Sequence, residues 1–225
     1  MIKYHGTPVT PRNIFFKALT DRNALISFAN PQDIKVAFEN CNKVILDNGA
    51  FSMWTKKKKT NWNKYYDWVK EHSNRDFYFI PDVIDGSEIE NDALLKDNPF
   101  SDGVPIWHIA ESFERLERLA SDYHFIAFGS SGEYSELGTE KWHSRMNEAM
   151  RVVCNKDGEP QVKIHMLRCL NPKIFTKYPF FSGDSTNLAR NHHRDGWENI
   201  LNRIEKYNSP KRYNFKRIFN QGTLF

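Results

Sequence analysis

The sequence predicts an α/β fold, and within that class a (β/α)8 barrel of the TIM type. Short apolar runs alternate along the chain with amphipathic stretches, and this alternation indicates parallel strands joined by helices. The runs are apolar at successive positions, as strands buried on both faces are. Acidic residues and glycines directly follow several runs, which is where a parallel barrel places its active site. A doubly wound open sheet is the alternative architecture.

Seven apolar runs predict the strands, and one further strand of uncertain position would complete the barrel. The chain has 225 residues, slightly fewer than the ~250 typical of this fold. The predicted strands are residues 25–28, 44–46, 77–80, 104–107, 125–128, 162–167 and 178–181.

Four stretches with apolar residues at helical spacing predict helices between these strands. Trp62, Tyr65 and Val69 share one face of the first helix, and Ser112 is the expected N-cap of the second. The predicted helices cover residues 62–72, 112–121, 142–153 and 197–207.

The composition is that of a folded protein, whose 225 residues are enough for one large domain or two small ones, and we expect one domain over residues 1–225. Hydrophobic residues make up 40% and aromatic residues 14%, which excludes the disordered class. The net charge of +4 is compatible with a nucleic-acid partner but does not require one. Cations alternate with aromatic residues from Lys206 to Arg217. This basic C-terminal tail either contacts nucleic acid or is an ordinary charged terminus.

The cysteines and the N-terminus indicate where the protein works. Cys41, Cys154 and Cys169 are far apart and form no CxxC pair, so neither a disulfide framework nor a cysteine metal site is expected. Free thiols fit a reducing cytoplasm. Residues 1–6 contain no apolar segment of the signal-peptide kind. No run approaches the ~20 apolar residues that span a bilayer, so we expect a cytoplasmic protein without membrane contact.

Polar loops follow five of the predicted strands. Because the carboxyl ends of parallel strands meet at one rim, Asp47, Asp82 and Asp184 are expected to converge on one pocket. One such aspartate could be a helix N-cap, but three of them on three strand ends favour a functional site. The loops are residues 47–52 (DNGAFS), 81–86 (PDVIDG), 108–111 (HIAE), 129–133 (GSSGE) and 182–187 (SGDSTN).

Two other features have ordinary explanations. The four lysines at 56–59 are most often a solvated loop, and a nucleic-acid contact with help from Trp54 and Trp62 is the less favoured alternative. The adjacent His192 and His193 have poor spacing for metal ligands. We expect these histidines at the surface or facing a substrate.

In its strand-end loops the sequence resembles the tRNA-guanine transglycosylase family. Residues 47–52 are similar to that family's DSGGFQ motif, residues 81–83 are loosely similar to FDE, and residues 128–133 are similar to GGLAVGE. Residues 183–190, GDSTNLAR, occupy the place of FDCVxPTR, which contains the family's nucleophile. Each motif alone is weak, but the ordered set extends over residues 44–190.

The form DSTNLAR looks more like the DNA-modifying branch of that family. Those DpdA-type proteins of phages and bacterial gene clusters insert 7-deazaguanine derivatives into DNA. The tRNA enzymes have a CxCxxC…H zinc site after the nucleophile, whereas no cysteine follows Asp184 here. The resemblance thus implies a single transglycosylase-like barrel domain that is compact and lacks the zinc-binding extension. If the chain is phage-encoded, the resemblance implies that the protein is located in the cytoplasm of the host cell.

The activity that the resemblance implies is base exchange, a pentosyl transfer. Guanine in DNA, or alternatively in tRNA, would be replaced by a 7-deazaguanine (preQ0-like) base without a metal or cofactor. Asp184 would be the covalent nucleophile at C1′, and Asp47 would move a proton between the bases. In duplex DNA the target nucleotide must first leave the stack. Asp82 and His108 are expected to contact the edge of the base, and the Gly129 and Ser130 amides its O6. Phe51 is expected to stack on the base. Asn187 is a further expected substrate contact, and Arg190 is expected to contact a phosphate.

Two alternatives belong to other functional classes. A barrel enzyme could hydrolyse free nucleosides or exchange their bases, and it would need no basic groove. A non-catalytic nucleic-acid-binding phage protein is the other alternative, and the presence of all three aspartates argues against it.

Overall fold

Nine short strands form one parallel sheet in the computed structural model, which describes residues 1–218 and their side chains as far as residue 216. The strand order is β5-β4-β3-β2-β1-β9-β8-β7-β6. The strands are β1 Ile2–Gly6, β2 Asn23–Ser27, β3 Lys43–Asp47, β4 Phe77–Phe79, β5 Gly103–Val104, β6 Ile106–His108, β7 Phe125–Gly129, β8 Lys163–Met166 and β9 Ser182–Ser185.

The two ends of this sheet are consecutive in the chain, because only Pro105 separates β5 from β6. The Ile80 amide donates to the Val104 carbonyl at 2.9 Å, and the Ala127 amide donates to the Pro105 carbonyl at 2.8 Å. Residues 103–108 therefore join β4 on one side and β7 on the other. Proline has no N–H to give to a ladder, which explains the interruption. The sheet is a nearly closed barrel, and with 103–108 taken as one strand it has eight strands.

The predicted α/β barrel is confirmed at this level, and the doubly wound open sheet is wrong, because the strand order never reverses. The four predicted helices are also confirmed, and Ser112 caps its helix by accepting from the Arg115 amide at 3.1 Å. The helices are α1 Arg12–Leu19, α2 Ile34–Asn40, α3 Ala50–Thr55, α4 Trp62–Glu71, α5 Glu88–Lys96, α6 Phe113–Asp122, α7 Glu140–Val153, α8 Pro172–Phe175, α9 Asn187–Asp195 and α10 Trp197–Glu205.

Two strands differ from the prediction. The strand that the sequence did not locate is β1, at the start of the chain. The last strand is β9, so the prediction of a strand over residues 178–181 was wrong. Tyr178 and Phe180 instead pack in an apolar cluster with α7, and the sheet ladder starts at Phe181, whose amide donates to Ile164. A strand of sequence SGDS has no apolar signal by which to recognise it.

The barrel interior is filled mainly by large apolar side chains, and larger clusters lie between the sheet and the helices. His165 is a polar exception, with no exposed surface. Its ring centroid lies 5.0 Å from that of Phe79. The interior apolar residues are Tyr4, Leu25, Ile45, Phe77, Phe79, Val104, Ile106 and Ala127.

Part of the basic tail packs against the protein. Tyr213 is buried, stacks on Tyr178 at 6.0 Å and donates to Asn147 at 2.7 Å. Its amide also donates to Gly158 at 2.7 Å, in the turn that leads to the start of β8. This part of the tail therefore lies at the barrel end opposite to the strand carboxyl ends. Arg217 lies outside the residues whose side chains are described. Within residues 1–218 no helix has the length and apolar character of a membrane span.

Candidate active site

A cleft of about 620 Å³ opens at the carboxyl ends of the strands. Asp47 is the last residue of β3, Asp184 lies near the end of β9, and Asp82 lies three residues beyond β4. All nine residues selected from the sequence line this one cleft, which are Asp47, Phe51, Asp82, His108, Gly129, Ser130, Asp184, Asn187 and Arg190.

Asp184 is held by donors from the neighbouring strand. Its Oδ1 accepts the backbone N–H of Arg168 at 3.0 Å and lies 3.1 Å from Nε2 of His165. Arg168 has a left-handed backbone (φ 60°), which is uncommon for a residue other than glycine and is often found at functional sites. Both contacts are to Oδ1. Within residues 1–218, Oδ2 makes no hydrogen bond.

His165 orients this carboxylate from inside the barrel. Its Nδ1 lies 2.8 Å from the hydroxyl of Ser182, two residues before Asp184 on the same face of β9. When the hydroxyl donates to Nδ1, the ring proton is on Nε2 and points at Asp184. A charged acceptor makes this hydrogen bond stronger than one between neutral groups.

Asp47 lies in an environment that favours its protonated form. Burial raises the pKa of Asp47, and the nearby carboxylates of Asp184 and Asp82 raise it further. The Ser27 hydroxyl and the Gly49 amide, which donates to Oδ2 at 3.1 Å, act in the other direction. The resulting pKa is about 7, against 3.8 for an ordinary aspartate. Asp47 can therefore both donate and accept a proton at neutral pH.

Asp82 is fixed by two side chains. Its Oδ1 accepts from Nδ2 of Asn48 at 2.8 Å, and its Oδ2 lies 2.9 Å from Nε2 of His108. Asn48 is itself held, since Nδ2 also donates to the Ile80 carbonyl at 2.9 Å and Oδ1 accepts from the Ala50 amide at 2.8 Å. A carboxylate has about four lone-pair sites, so Asp82 can still accept from a ligand.

His108 links the cleft to a buried charge network. Burial lowers the pKa of His108, but the carboxylates of Asp82 and Glu111 outweigh it and the net shift is upward. Glu111 accepts from the His108 amide at 2.8 Å and pairs with the buried Arg115 at 2.6 Å. Neither ring nitrogen of His108 has hydrogen-bond geometry to a described residue, so its 2.9 Å contact with Asp82 is one of proximity and charge. Its Nδ1 faces Gly129, where an added Cβ would approach it to 3.1 Å.

Phe51 and Arg168 meet across the mouth of the cleft. The Arg168 guanidinium lies 4.5 Å from the Phe51 ring centroid, although the two residues follow β3 and β8 on opposite sides of the barrel. Such a contact is typical of a cation–π pair. A base that stacks on Phe51 must use the other ring face or displace the guanidinium.

The remaining predicted residues lie at the cleft wall. Ser130 accepts from Nε1 of Trp142 at 2.9 Å, which fixes the loop after β7. Asn187 accepts from Nδ2 of Asn191 at 2.7 Å at the start of α9. Arg190 is exposed and lines the cleft one helical turn later.

Sequence reasoning missed several residues that build this site. Arg168, Asn48 and Glu111 gave no motif of their own, although Asn48 directly follows Asp47. His165 lies in the apolar run of residues 162–167, where the sequence is equally compatible with core packing and with a substrate contact. A polar side chain in the interior register of a barrel strand is the signal that could have identified it.

No group suited to a resident metal is found in the described part of the chain, where no three His, Cys, Asp or Glu side chains cluster as ligands. His192 contacts the Leu188 carbonyl at 3.0 Å and lies on α9 rather than in the cleft. The three cysteines are free.

Comparisons of the chain with protein-family models, with curated proteins and with solved structures found no match.

Proposed function

We propose that the protein is a base-exchange transglycosylase. It replaces guanine in a nucleic acid, with DNA as the favoured polymer, by a 7-deazaguanine derivative through a covalent aspartyl–sugar intermediate. The supporting observation is the contrast between Asp184 and Asp47 in one cleft. Asp184 accepts two hydrogen bonds that stabilise a carboxylate, whereas Asp47 has a pKa raised to about 7. A carboxyl group with a raised pKa, beside a second carboxylate that hydrogen-bond donors hold in place, is typical of an acid–base partner beside a nucleophile.

In the first displacement Oδ2 of Asp184 attacks C1′ of the deoxyribose. The bond from C1′ to N9 of guanine breaks, and its electron pair stays on N9. Asp47, in its protonated form, gives its proton to the leaving base. The transition state resembles an oxocarbenium ion, and the adjacent Asp184 charge stabilises it.

In the second displacement the ionised Asp47 removes the proton from N9 of the entering 7-deazaguanine. That nitrogen attacks C1′, and the ester bond to Asp184 breaks with its electron pair returning to the carboxylate. Asp47 gives one proton to the departing guanine and takes another from the entering base, so the enzyme is restored. Covalent capture holds the sugar while the two bases change places.

Asp82 provides base recognition in this proposal. Guanine and 7-deazaguanine share an N1–H and a 2-amino group, two donors in one plane. A carboxylate already held by Asn48 and His108 can accept both without reorganising.

A transferase or hydrolase acting on free nucleosides is the second candidate. A cleft of about 620 Å³ lies within the ~300–1,000 Å³ of ordinary small-molecule sites, so a nucleoside would fit it.

The test is adduct formation on a denaturing gel, with DNA and a 7-deazaguanine base as substrates. Wild type should give a protein–DNA band that excess base resolves, and Asp184→Asn should give none. Asp47→Asn should form the band ~10²–10⁴ times more slowly, because proton transfer is impaired. Asp85→Asn is the matched control, since Asp85 lies near the same rim but bonds to Trp54 at 2.6 Å.

Three results would contradict the proposal. An adduct that persists in Asp184→Asn but disappears in Asp82→Asn or Asp85→Asn would assign the nucleophile elsewhere. Turnover of free nucleosides without any on polymers would select the second candidate. If DNA and tRNA co-expressed with the protein and a deazaguanine supply contain no modified nucleoside by mass spectrometry, and no adduct forms, base exchange is excluded.

A further inference from the structure

A second cleft of about 740 Å³ adjoins the candidate active site. The two clefts share Arg168, Ser185 and Asn187 at the rim. From there the second cleft extends down the outside of the barrel between α8 and α10. It reaches Arg203 and Tyr207, close to the start of β1, where Lys3 contacts the Glu205 carbonyl.

The lining of this cleft is positively charged. It includes Arg168, Lys173 and Arg203 and contains no acidic residue, so we call it the basic groove. Lys173 and Arg203 are exposed, and neither forms an ion pair within residues 1–218. Glu205, the nearest acid along α10, is paired with Arg22 at 2.5 Å.

Charge therefore divides the connected clefts into two parts. The first contains the three carboxylates Asp47, Asp82 and Asp184, with Arg168 and Arg190 as its arginines, whereas the charged residues of the second are all cations. A ligand that fills both parts needs a neutral, hydrogen-bonding end for the first and an anionic extension for the second. A nucleotide within a strand has this division, with its base and sugar at one end and phosphates leading away.

We propose that the basic groove binds the phosphodiester backbone of the nucleic-acid strand beside the nucleotide whose base enters the cleft. This inference rests on the proposed function, and it identifies where the polymer lies. Extrusion of a nucleotide leaves its flanking phosphates at the rim, where Arg168 stands between the two clefts. Tyr207, 43% exposed at the far end, offers a ring for a flanking base to stack on.

One phosphate would use only part of this groove. Its cations are distributed from Arg168 at the rim to Arg203 near the end of α10. The groove thus fits several consecutive phosphates better than the single phosphate of a free mononucleotide.

The test is the salt dependence of oligonucleotide binding by the full chain. The double variant Lys173→Gln/Arg203→Gln is compared with Lys35→Gln/Lys70→Gln, which removes the same charge from exposed positions on α2 and α4. A fluorescent single-stranded oligonucleotide containing guanine is titrated at 50 to 200 mM salt. Each phosphate contact on a single strand contributes ~0.7 to the slope of log affinity against log salt. The slope for the groove variant should therefore be smaller than the wild-type slope by ~1.4. Between ~50 and ~200 mM salt, wild-type affinity should then fall ~7-fold more than the affinity of the groove variant.

The groove inference is overturned if the two double variants have the same slope, if wild type binds no oligonucleotide, or if guanosine 5′-monophosphate competes as well as the oligonucleotide. The readout is independent of catalysis. A reduced slope in a protein that forms no adduct would support the groove and reject the proposed activity. An unchanged slope in a protein that does form the adduct would reject the groove alone.

Discussion

Nε2 of His165 lies 3.1 Å from Oδ1 of Asp184, and the whole imidazole is inside the barrel with no exposed surface. The ring is fixed by Phe79 on one side and by the Ser182 hydroxyl at Nδ1. Because this donor is already fixed in place, little reorganisation is needed when the charge on the Asp184 carboxylate changes during the reaction. His165 is thus a positioning residue that fixes Oδ1 of Asp184 and leaves Oδ2 available for attack.

The first prediction compares His165→Gln with His165→Leu. Glutamine can place an amide N–H near the position of Nε2, whereas leucine provides no donor to Asp184. A hydrogen bond to a charged group contributes ~1.5–3 kcal/mol, so His165→Leu should slow adduct formation ~10–100-fold and His165→Gln should restore most of the rate. Single-turnover gels measure this, with thermal unfolding as the folding control. Equal rates in two folded variants would mean that His165 only fills space.

The second prediction concerns stability and pH. Asp47 has a folded-state pKa of about 7 against 3.8 when solvated, so the folded protein binds its proton more tightly than the unfolded chain. The stability that this proton contributes is complete below about pH 4 and is lost as pH rises through about 7. At ~1.36 kcal/mol per pKa unit, the loss is at most ~4 kcal/mol.

Urea unfolding of wild type and Asp47→Asn at several pH values checks this expectation. The asparagine cannot ionise, so its stability relative to wild type should increase between pH 4 and pH 8. Asp85→Asn, whose carboxylate lies outside the cleft, should show no such trend. A constant difference between wild type and Asp47→Asn across the range would place the Asp47 pKa at its ordinary value.

The barrel and the rim were predictable from the sequence because they follow from local patterns. Apolar runs at Val44–Leu46 and Phe77–Ile80 predict buried strands, and a parallel barrel brings their carboxyl ends together. Asp47 and Asp82 could therefore be assigned to one cleft without coordinates. Their pairing with Asn48 and His108 could not, because it depends on side-chain directions that strand order alone leaves open.

The last strand shows why the rest was not predictable. β9 reads SGDS, since Ser182 and Asp184 both bond to His165 within the barrel, and an apolar pattern is absent where the interior is polar. The aromatic run before it resembles a strand but packs outside the sheet. Arg168 was missed for a similar reason, because its contact with Phe51 joins loops more than a hundred positions apart.

The third prediction tests base recognition by Asp82. Asp82→Asn replaces one acceptor oxygen by a donor, so the donor pair of guanine loses a partner and meets an N–H instead. The KM for a 7-deazaguanine base should rise ~10–100-fold, since a hydrogen bond to a charged group contributes ~1.5–3 kcal/mol. The matched ligand is 7-deazahypoxanthine, which lacks the 2-amino group. Wild type should discriminate against it and Asp82→Asn should do so much less. An unchanged preference in the variant would remove Asp82 from recognition.

The last prediction concerns the two half-reactions. Release of guanine needs protonated Asp47, so its rate should fall as pH rises through about 7. Transfer to the entering base needs ionised Asp47, so its rate should rise with pH. The second profile should also have the lower midpoint, because in the adduct Asp184 is an ester and no longer raises the Asp47 pKa by its charge. Rapid-quench measurement of guanine release, and a base chase of preformed adduct, give the two profiles separately. Both should be slower and flat in this pH range for Asp47→Asn. Profiles that slope in the same direction, or a second midpoint at or above the first, would mean that another group transfers the proton.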